Sequence, residues 1–389
     1  SRSSWNPNPL PFFSLLATLF AYKGVEKASL KYFILSGIML GVALQLHYIA
    51  TFLAVVIAVY IFFARSHLMQ GETFIKNYGA IFCGFFIGYS PFLAFEVTHG
   101  FPNTIAVTRF IFGGTGETGF TGERFVAIVS DVSFRLFGRF LTRFPPLEQI
   151  TLGKDTMLIG SYGIAVTLPL SFLYSATVIL MVSSIALLVY YRGRAWRLLL
   201  AWLVIGVFLF GFYRKPIYDY YFGFMSPLPF FLAGMMLGRL YQAKRLHAVG
   251  KIASVTIFIF LMLLNLDGMP FRYAANRQLA QVRSISEFVL DKAQNKPFNF
   301  ALITGQNSDH AYRYFFEVER TTPVTIENVQ ADPERKSVTD QLLIVCEDPS
   351  CKPLGHSLWE VAGFGQAEIA GEWQVSVVRV FKLVHYEGQ

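Results

Sequence analysis

The sequence predicts a polytopic α-helical membrane protein of about eight transmembrane helices, followed by a small extracytoplasmic α/β domain. Three observations support this fold class: long segments without charged residues, a composition of 54% hydrophobic and 15% charged residues, and basic residues grouped between the uncharged segments. A bilayer core about 30 Å thick requires roughly 20 apolar helical residues per crossing. The uncharged segments therefore predict membrane-embedded helices, and we look for function where these helices end.

Seven segments contain no Lys, Arg, Asp or Glu; they are 3–22, 32–64, 77–95, 166–191, 198–213, 220–238 and 252–266. At about 1.5 Å per residue, a single helix over 32–64 would be about 50 Å long, which far exceeds the bilayer thickness. A hairpin of two short helices that turns near His47 satisfies both the length and the charge pattern. This hairpin brings the expected count of crossings to about eight.

The basic residues set the expected orientation. They occur in four short segments between the uncharged ones: Lys23, Lys27 and Lys31; Arg65 and Lys76; Arg192, Arg194 and Arg197; Arg239, Lys244, Arg245 and Lys251. Such grouping is typical of cytoplasmic loops, so both termini are expected outside. The net charge of +8 does not indicate a nucleic-acid partner, because the basic residues are grouped in these short loops. Membrane lipids are the expected partners of such loops.

The chain starts directly at a membrane interface. It opens with Ser1 and Arg2, without Met and without the pattern of a signal peptide. We therefore expect a fragment whose earlier membrane spans are missing. The membrane part is expected to cover 1–266 and to include an extracytoplasmic loop over 98–165.

That loop contains two notable segments. The glycine-rich stretch 113–119 is not followed by Gly-Lys-Ser/Thr, so it is not a phosphate-binding P-loop. It is interpreted as a flexible loop or, alternatively, as a mobile gate over a site. The segment 124–144 has helical periodicity, with one polar stripe formed by Asp131, Arg135, Arg139 and Arg143. This helix is expected to lie flat in the interface, where its arginines contact anionic headgroups or hold a phosphate-bearing lipid substrate.

The remaining chain, 267–389, predicts an extracytoplasmic α/β domain that supports the membrane part or recognises an acceptor. Helices are expected over 275–292 and 308–319, and strands over 299–304, 341–346 and 374–384. Cys346 and Cys351 are separated by four residues. A short-loop disulfide is expected if the domain lies outside, and two free thiols are the alternative.

Polar residues gather at the outer ends of the spans, and they are Asn6, Asn8, His47, Tyr48, Glu96, His99, Tyr218, Asp219, Tyr220 and Tyr221. Each has a simpler interpretation on its own. His47 alone is more often a buried, satisfied histidine. A carboxylate at a helix end such as Glu96 is often paired with a cation. Tyrosines at span ends commonly form an aromatic belt. Their convergence on one membrane face indicates a site.

Four segments carry a resemblance to a known family: 5–13 (WNPNPLPFF), 37–48 (GIMLGVALQLHY), 90–101 (SPFLAFEVTHGF) and 220–228 (YYFGFMSPL). They resemble membrane glycosyltransferases of the GT-C type, in particular the protein mannosyltransferase group, which includes bacterial aminoarabinose transferases of lipid A. Residues 37–48 (GIMLGVALQLHY) look like the G-L-x-x-G-L-A-x-x-T-K-Y hairpin of that group. Residues 5–13 (WNPNPLPFF) resemble its Asp-x-Pro-Leu element. Residues 90–101 (SPFLAFEVTHGF) are similar to its span end followed by E-x-x-H-x-F. Residues 220–228 (YYFGFMSPL) resemble its H-Y-x-x-x-x-x-P-L. The resemblance covers about 1–240.

The sequence also departs from that pattern. Asn8 stands where the family often has Asp, His47 where Lys is usual, and Tyr220 where His is usual. The family's catalytic Asp lies in its first extracytoplasmic loop, upstream of residue 1. The catalytic residue is therefore unknown, and no Asp of this chain is nominated.

The resemblance implies an inverting transfer of a sugar from a polyprenyl-phosphate donor to an extracytoplasmic hydroxyl of a protein, lipid or glycan. Glu96 and His99 are candidates to orient the acceptor or the base. Candidates for the donor phosphate are His47, Arg109, Arg135, Arg139, Tyr220 and Tyr221. No cofactor is required, although a divalent cation is possible. The short loops favour a prokaryotic plasma membrane.

Two other functions fit a polytopic membrane protein. One alternative is a non-catalytic subunit of surface-glycan assembly, which the substituted motif positions support. A secondary transporter is disfavoured, because the expected midplanes of the spans carry no charge and no internal repeat is evident.

Overall fold

The computed structural model describes residues 7–64, 71–112, 121–146, 156–161, 164–191, 193–213, 215–266, 268–269, 274–275, 277–305, 307–348 and 350–386. Some features considered above lie outside these ranges, namely residues 1–6 with Asn6, the glycine-rich stretch 113–119, Arg65 and Arg192. The chain forms two compact units, Ser1–Tyr273 and Ala274–Gln389.

The first unit is mostly helical. Its α-helices in the described ranges are α1 Leu10–Lys27, α2 Leu30–Leu46, α3 Thr51–Ala64, α4 Gly71–Thr98, α5 Pro102–Phe112, α6 Gly122–Phe137, α7 Leu170–Tyr190, α8 Arg194–Phe210, α9 Pro227–Gln242 and α10 His247–Leu266. Short 3-10 turns cover Tyr48–Ala50, Asp219–Phe224 and Lys244–Leu246, and one π-helical turn covers Gly138–Thr142. An antiparallel pair, β1 Thr156–Ser161 and β2 Ile164–Pro169, precedes α7.

Several helices are suited to a membrane. In the described part of the chain, three are long and apolar enough to cross one: Phe74–Thr98, Leu170–Tyr190 and Lys244–Leu266. Leu30–Leu46 and Tyr48–Ala64 are apolar but shorter. The uncharged segment 166–191 is not helical throughout, because its first residues belong to β2 and the helix starts at Leu170. The count of about eight crossings stays a prediction.

The predicted break near His47 is confirmed. Helix α2 ends at Leu46, and His47 has an extended backbone with φ −163° and ψ 129°. The backbone N–H of Ile49 donates to Nδ1 of His47 at 3.2 Å, so the imidazole caps the short turn that follows. A side-chain cap of this kind allows a helix to end without glycine or proline.

Helices α1 and α2 form an antiparallel pair. The ring of Phe33 lies against Gly24 near the connecting turn. Further along the pair, the Ser36 hydroxyl donates to the carbonyl oxygen of Ala17 at 2.8 Å. Because the contacts move backward along α1 as they move forward along α2, the helices run in opposite directions.

Helices α2 and α4 run parallel and touch through their backbones. Glycines four residues apart on each helix face the other helix, and a Cβ at any of them would overlap backbone atoms across the contact. The pairs are Gly37 with Ile81, Gly41 with Phe85, Gly84 with Ile34 and Gly88 with Ile38. Small residues at this spacing permit close approach of membrane helices.

The second unit is an α/β sandwich. It contains α11 Gln278–Ala293, β3 Asn299–Ile303, α12 His310–Val318, β4 Gln341–Cys346, α13 Trp359–Ala362, β5 Ala367–Val375 and β6 Val378–His385. The sheet order is β3-β4-β6-β5; β3 is parallel to β4, and the other pairs are antiparallel. Every residue of β3 and β4 is buried, as expected for strands covered on both faces. Helices α11 and α12 pack on one face, and α13 packs on the other.

One strand prediction in this unit is wrong. The segment 374–384 was expected to be a single strand, whereas the chain turns at Ser376, where φ is 53°. Two strands, β5 and β6, therefore form a hairpin over 367–385. The expected disulfide is present between Cys346 at the end of β4 and Cys351, with a Cα–Cα distance of 6.2 Å.

A polar cluster lies where the parallel strands β3 and β4 end. The Glu347 carboxylate accepts hydrogen bonds from the Thr304 hydroxyl at 2.8 Å, the Asn307 amide at 2.6 Å and the Tyr312 hydroxyl at 2.9 Å. Burial, and then the neighbouring Glu347 carboxylate, raise the pKa of Tyr312 above its ordinary value. These contacts join α12 to the sheet.

Candidate functional site

A cavity of about 590 Å³ opens in the first unit where α2, α4 and α5 approach the turn 219–224. Its volume falls within the range of small-molecule sites. The described lining residues are Pro7, Leu44, Gln45, Leu46, His47, Tyr48, Thr51, Tyr89, Phe92, Asn103, Thr104, Val107, Thr108 and Tyr220. Of the predicted site residues, His47 and Tyr220 thus meet in one cavity.

Aromatic rings from separate parts of the chain surround His47. Its imidazole lies 4.6 Å from the ring of Tyr48, 5.6 Å from that of Tyr220 and 4.9 Å from that of Tyr221, measured between centroids. The hydroxyl groups of Tyr48 and Tyr213 share a hydrogen bond. Tyr221 is buried behind the cavity wall, whereas Tyr220 reaches the cavity. The tyrosines therefore form a cluster around the helix break.

The hydrogen bond to the His47 ring identifies its tautomer. Its Nδ1 accepts the N–H of Ile49, so in the neutral ring the proton is on Nε2. A neutral imidazole in this tautomer offers one N–H donor. His47 is among the residues that line the cavity.

Gln45 joins α2 to α4 at the cavity. Its Nε2 amide donates to the carbonyl oxygen of Gly88 at 2.6 Å and to that of Gly41 at 3.4 Å. The close approach at the glycine pairs makes the first of these bonds possible. Gln45 thereby fixes the cavity wall that His47 continues.

Helix α5 supplies another wall through Asn103, Thr104, Val107 and Thr108. Its first turn is held by the Glu96 carboxylate, which is only 1% exposed. Glu96 Oε1 accepts from the Asn103 backbone N–H at 3.2 Å and from its side-chain amide at 2.8 Å. Glu96 Oε2 accepts from the Thr104 N–H at 2.8 Å. The predicted candidate Glu96 thus contacts α5, whose side chains face the cavity.

The structure does not bring His99 or Arg109 to the cavity lining. The His99 ring stacks on Phe95 at 4.1 Å, and its Nδ1 lies 2.9 Å from the Phe95 carbonyl oxygen and 3.0 Å from the Thr98 hydroxyl. Arg109 is an exposed residue of α5, next to the cavity residue Thr108. Both therefore lie near the site without lining it.

Arg135 and Arg139 hold Asp219. Arg135 Nε and Nη2 donate to Asp219 Oδ1 at 2.9 and 2.5 Å, and Nη2 also donates to the Ile217 carbonyl oxygen at 2.9 Å. Arg139 Nε donates to Asp219 Oδ2 at 3.0 Å. Since Tyr220 follows directly, this network fixes the turn that carries it to the cavity.

The expectation that the arginine stripe faces lipid headgroups is wrong for these residues. Only 17% and 15% of the Arg135 and Arg139 side chains are exposed. Arg143 donates to the Leu264 carbonyl oxygen at 3.2 Å, and the π-helical turn at 138–142 interrupts the periodicity before it. The three arginines thus turn toward the protein, where Asp219 and backbone carbonyls accept their hydrogen bonds, whereas Asp131 stays half exposed.

The cavity is neutral and amphipathic. Its described lining contains no Lys, Arg, Asp or Glu, but it combines apolar side chains with imidazole, amide and hydroxyl groups. Such a site offers hydrogen-bond donors beside an apolar wall. Within the described ranges, no group of three or more His, Cys, Asp and Glu side chains is placed to hold a metal ion.

The helices and this cavity define a membrane protein with a polar site at the ends of its helices. Residues 5–95 match a family model described as dolichyl-phosphate-mannose-protein mannosyltransferase. The predicted resemblance to GT-C mannosyltransferases is therefore confirmed over this segment, which contributes Gln45, His47 and Tyr48 to the cavity. No curated protein and no solved structure matches the chain. The match supports glycosyltransferase activity in general.

Sequence reasoning did not nominate several polar residues of the cavity wall, among them Gln45, Asn103 and Thr104. Gln45 was a usable signal, because it is a polar side chain within an uncharged apolar segment and lies two residues before His47. Asn103 and Thr104 follow Pro102, a residue type common at a helix start. Only the fold shows that this helix start faces the cavity.

Proposed function

We propose that this protein is a membrane glycosyltransferase that moves a sugar, with inversion, from a polyprenyl-phosphate donor to a hydroxyl acceptor at the cavity. The cavity lined by His47, Gln45, Asn103 and Tyr220 carries the proposal, because these groups come together at helix ends beside the segment that matches mannosyltransferases. The acceptor is an extracytoplasmic hydroxyl of a protein, lipid or glycan.

The cavity's two kinds of lining suit an amphipathic donor. Leu44, Leu46, Phe92 and Val107 supply an apolar wall for the first part of a prenyl chain. His47, Tyr220 and Asn103 supply polar groups for a sugar phosphate. Sites that bind small molecules commonly combine a mostly apolar lining with a few polar groups that fix orientation.

The chemistry requires stabilisation of the leaving group. The acceptor oxygen forms a bond to the anomeric carbon while the bond from that carbon to the phosphate oxygen breaks, and the electron pair leaves with the phosphate. The acceptor proton passes to a base, a role for which we assign no residue. The Nε2–H of His47 would donate to the departing phosphate oxygen, where negative charge increases.

Arg135 and Arg139 have a positional role in this proposal. Both guanidinium groups are paired with Asp219, and neither lines the cavity among the described residues. They would act by fixing the turn that carries Tyr220 and Tyr221. Arg109 stays a candidate for the phosphate because it lies next to Thr108 on α5.

Transfer by the purified full-length protein tests this function. We expect reconstituted protein to transfer sugar from a polyprenyl-phosphate hexose, and His47→Ala to lower kcat about 100-fold because one donor to the leaving group is lost. Tyr220→Phe should lower activity less, since the ring remains. The control Tyr190→Phe changes an exposed tyrosine far along the chain from the cavity residues and should have no effect.

The outcomes separate the proposals. Absence of transfer with retained donor binding would favour a non-catalytic subunit. Transfer that survives both His47→Ala and Tyr220→Phe would reject this cavity as the site. An assay with a metal chelator would show whether a divalent ion assists.

We further propose that the cavity and the second unit face outward from a plasma membrane. The Cys346–Cys351 disulfide supports this orientation, because disulfides persist mainly in oxidising compartments. The basic residues near Ala28 support a cytoplasmic position for the turn between α1 and α2.

Thiol labelling of whole cells checks this orientation. In a Cys83→Ala background, an impermeant reagent should label Thr98→Cys and should not label Ala28→Cys until the cells are opened. Ala28 and Thr98 are both exposed at helix ends. Labelling of both positions in intact cells would contradict the proposed orientation.

A further inference from the structure

Glu96 is an unusual carboxylate in this unit. It belongs to a helix that is apolar enough to cross a membrane, and it is only 1% exposed. Placing a carboxylate in apolar surroundings is costly unless it accepts hydrogen bonds. Glu96 accepts three such bonds, and all come from Asn103 and Thr104 at the start of α5.

Side-chain packing contributes little to fixing α5. Residues 102–109 are all exposed, so the described part of this helix buries no side chain completely. The corner before it has two residues with positive φ, Gly100 at 74° and Phe101 at 60°. The Phe101 N–H donates to the Glu96 carbonyl oxygen at 2.8 Å, so the backbone and the side chain of Glu96 both hold this corner.

We propose that Glu96 is a positioning residue of the cavity: its buried carboxylate fixes α5 as a wall, and it acts on bound ligand through Asn103 and Thr104. This inference rests on the proposed function for its effect on turnover. Its structural part, the fixing of α5 by the carboxylate, is independent of that function.

The contacts favour positioning over acid or base catalysis. Both carboxylate oxygens of Glu96 already accept bonds from α5, and Glu96 is not among the described residues that line the cavity. The adjacent Asn103 and Thr104 do line it. Carboxylates also bind favourably at helix N-termini, where backbone N–H groups lack helical partners.

Glu96→Gln is the most direct variant. The amide keeps the size of the side chain but replaces one acceptor oxygen with an NH₂ donor. The N–H groups of either Asn103 or Thr104 then face an NH₂ donor instead of an acceptor oxygen. The negative charge of the carboxylate at the start of α5 is also lost. Val97→Ala serves as the control, because Val97 is the next residue on α4 and is 65% exposed.

Hydrogen exchange of the full-length protein in detergent tests whether Glu96 fixes α5. We expect the amides of 103–112 to exchange about tenfold faster or more in Glu96→Gln, and to be unchanged in Val97→Ala. Amides of α8 should exchange at the wild-type rate in both variants. Unchanged exchange in α5 would overturn the inference whether or not the protein is a transferase.

Steady-state kinetics test the positioning effect. In Glu96→Gln, the KM for polyprenyl-phosphate hexose or for the acceptor should rise about tenfold while kcat changes much less. The reason is that bound ligand at saturation holds α5 in its wild-type position. Loss of kcat at an unchanged KM would indicate a catalytic acid or base and would overturn the inference. Faster hydrogen exchange in α5 with KM and kcat both unchanged would also overturn the inference.

Discussion

Alanine at Gly84 should strongly destabilise the protein, whereas alanine at Gly79 on the same helix should not. A Cβ at Gly84 would overlap the backbone carbonyl of Ile34, and backbone atoms cannot move aside as a flexible side chain can. We expect the free energy of unfolding to fall by about 2–3 kcal/mol. At Gly79 nothing lies within 4 Å of the added Cβ, so its higher helix propensity should make the change neutral or slightly stabilising.

Thermal unfolding of both variants in the same detergent measures this difference. The Gly84 variant should also lose ligand binding, because separation of α2 from α4 breaks the Gln45 contact to Gly88. Equal melting temperatures for Gly79→Ala and Gly84→Ala would show that the close contact between these helices does not exist.

The second large effect is expected at Asp219. Asp219→Ala leaves the guanidinium groups of Arg135 and Arg139 without the carboxylate that both contact. Because Asp219 is 41% exposed, water compensates part of the loss, and we expect a decrease of about 2 kcal/mol in stability. Activity should fall more steeply than stability predicts, because the turn with Tyr220 is released.

The control for this variant is Asp131→Ala. Asp131 contacts Arg135 at 3.0 Å one helical turn away, and 49% of its side chain is exposed. Pairs of this kind stabilise a helix by about 0.5 kcal/mol or less. A double-mutant cycle of Asp219→Ala with Arg139→Gln should give a coupling energy of about 1 kcal/mol or more. No coupling would mean that the ion pair does not hold the turn.

Local sequence patterns predicted much of the fold. The break at His47 followed from length, since one helix over 32–64 could not fit a bilayer. The strand 341–346 followed from its run of apolar residues. The turn at Ser376 was missed because Gln374–Val384 has no glycine or proline to mark it, and a non-glycine residue takes the positive φ instead.

The candidate site was only partly predictable, because its contacts join residues far apart in the chain. The pairing of Arg135 with Asp219 spans 84 residues, so the helical stripe could not indicate that it faces the protein. Glu96 was noted at a helix end, where pairing with a cation is common, but its partners are the neutral Asn103 and Thr104 of α5. His47 was found because it lies at the break predicted within the uncharged segment 32–64, and Tyr220 because it begins the uncharged segment 220–238.

The backbone contact between α2 and α4 also constrains how a lipid could reach the cavity. Glycines on α2 face the backbone of α4, and glycines on α4 face the backbone of α2. The two helices therefore cannot separate without losing all of these contacts. The boundary on this side is therefore static. Admission of a long-chain substrate has to displace another boundary, and α5 is suited to this, because residues 102–109 are exposed and the Glu96 carboxylate holds its first turn.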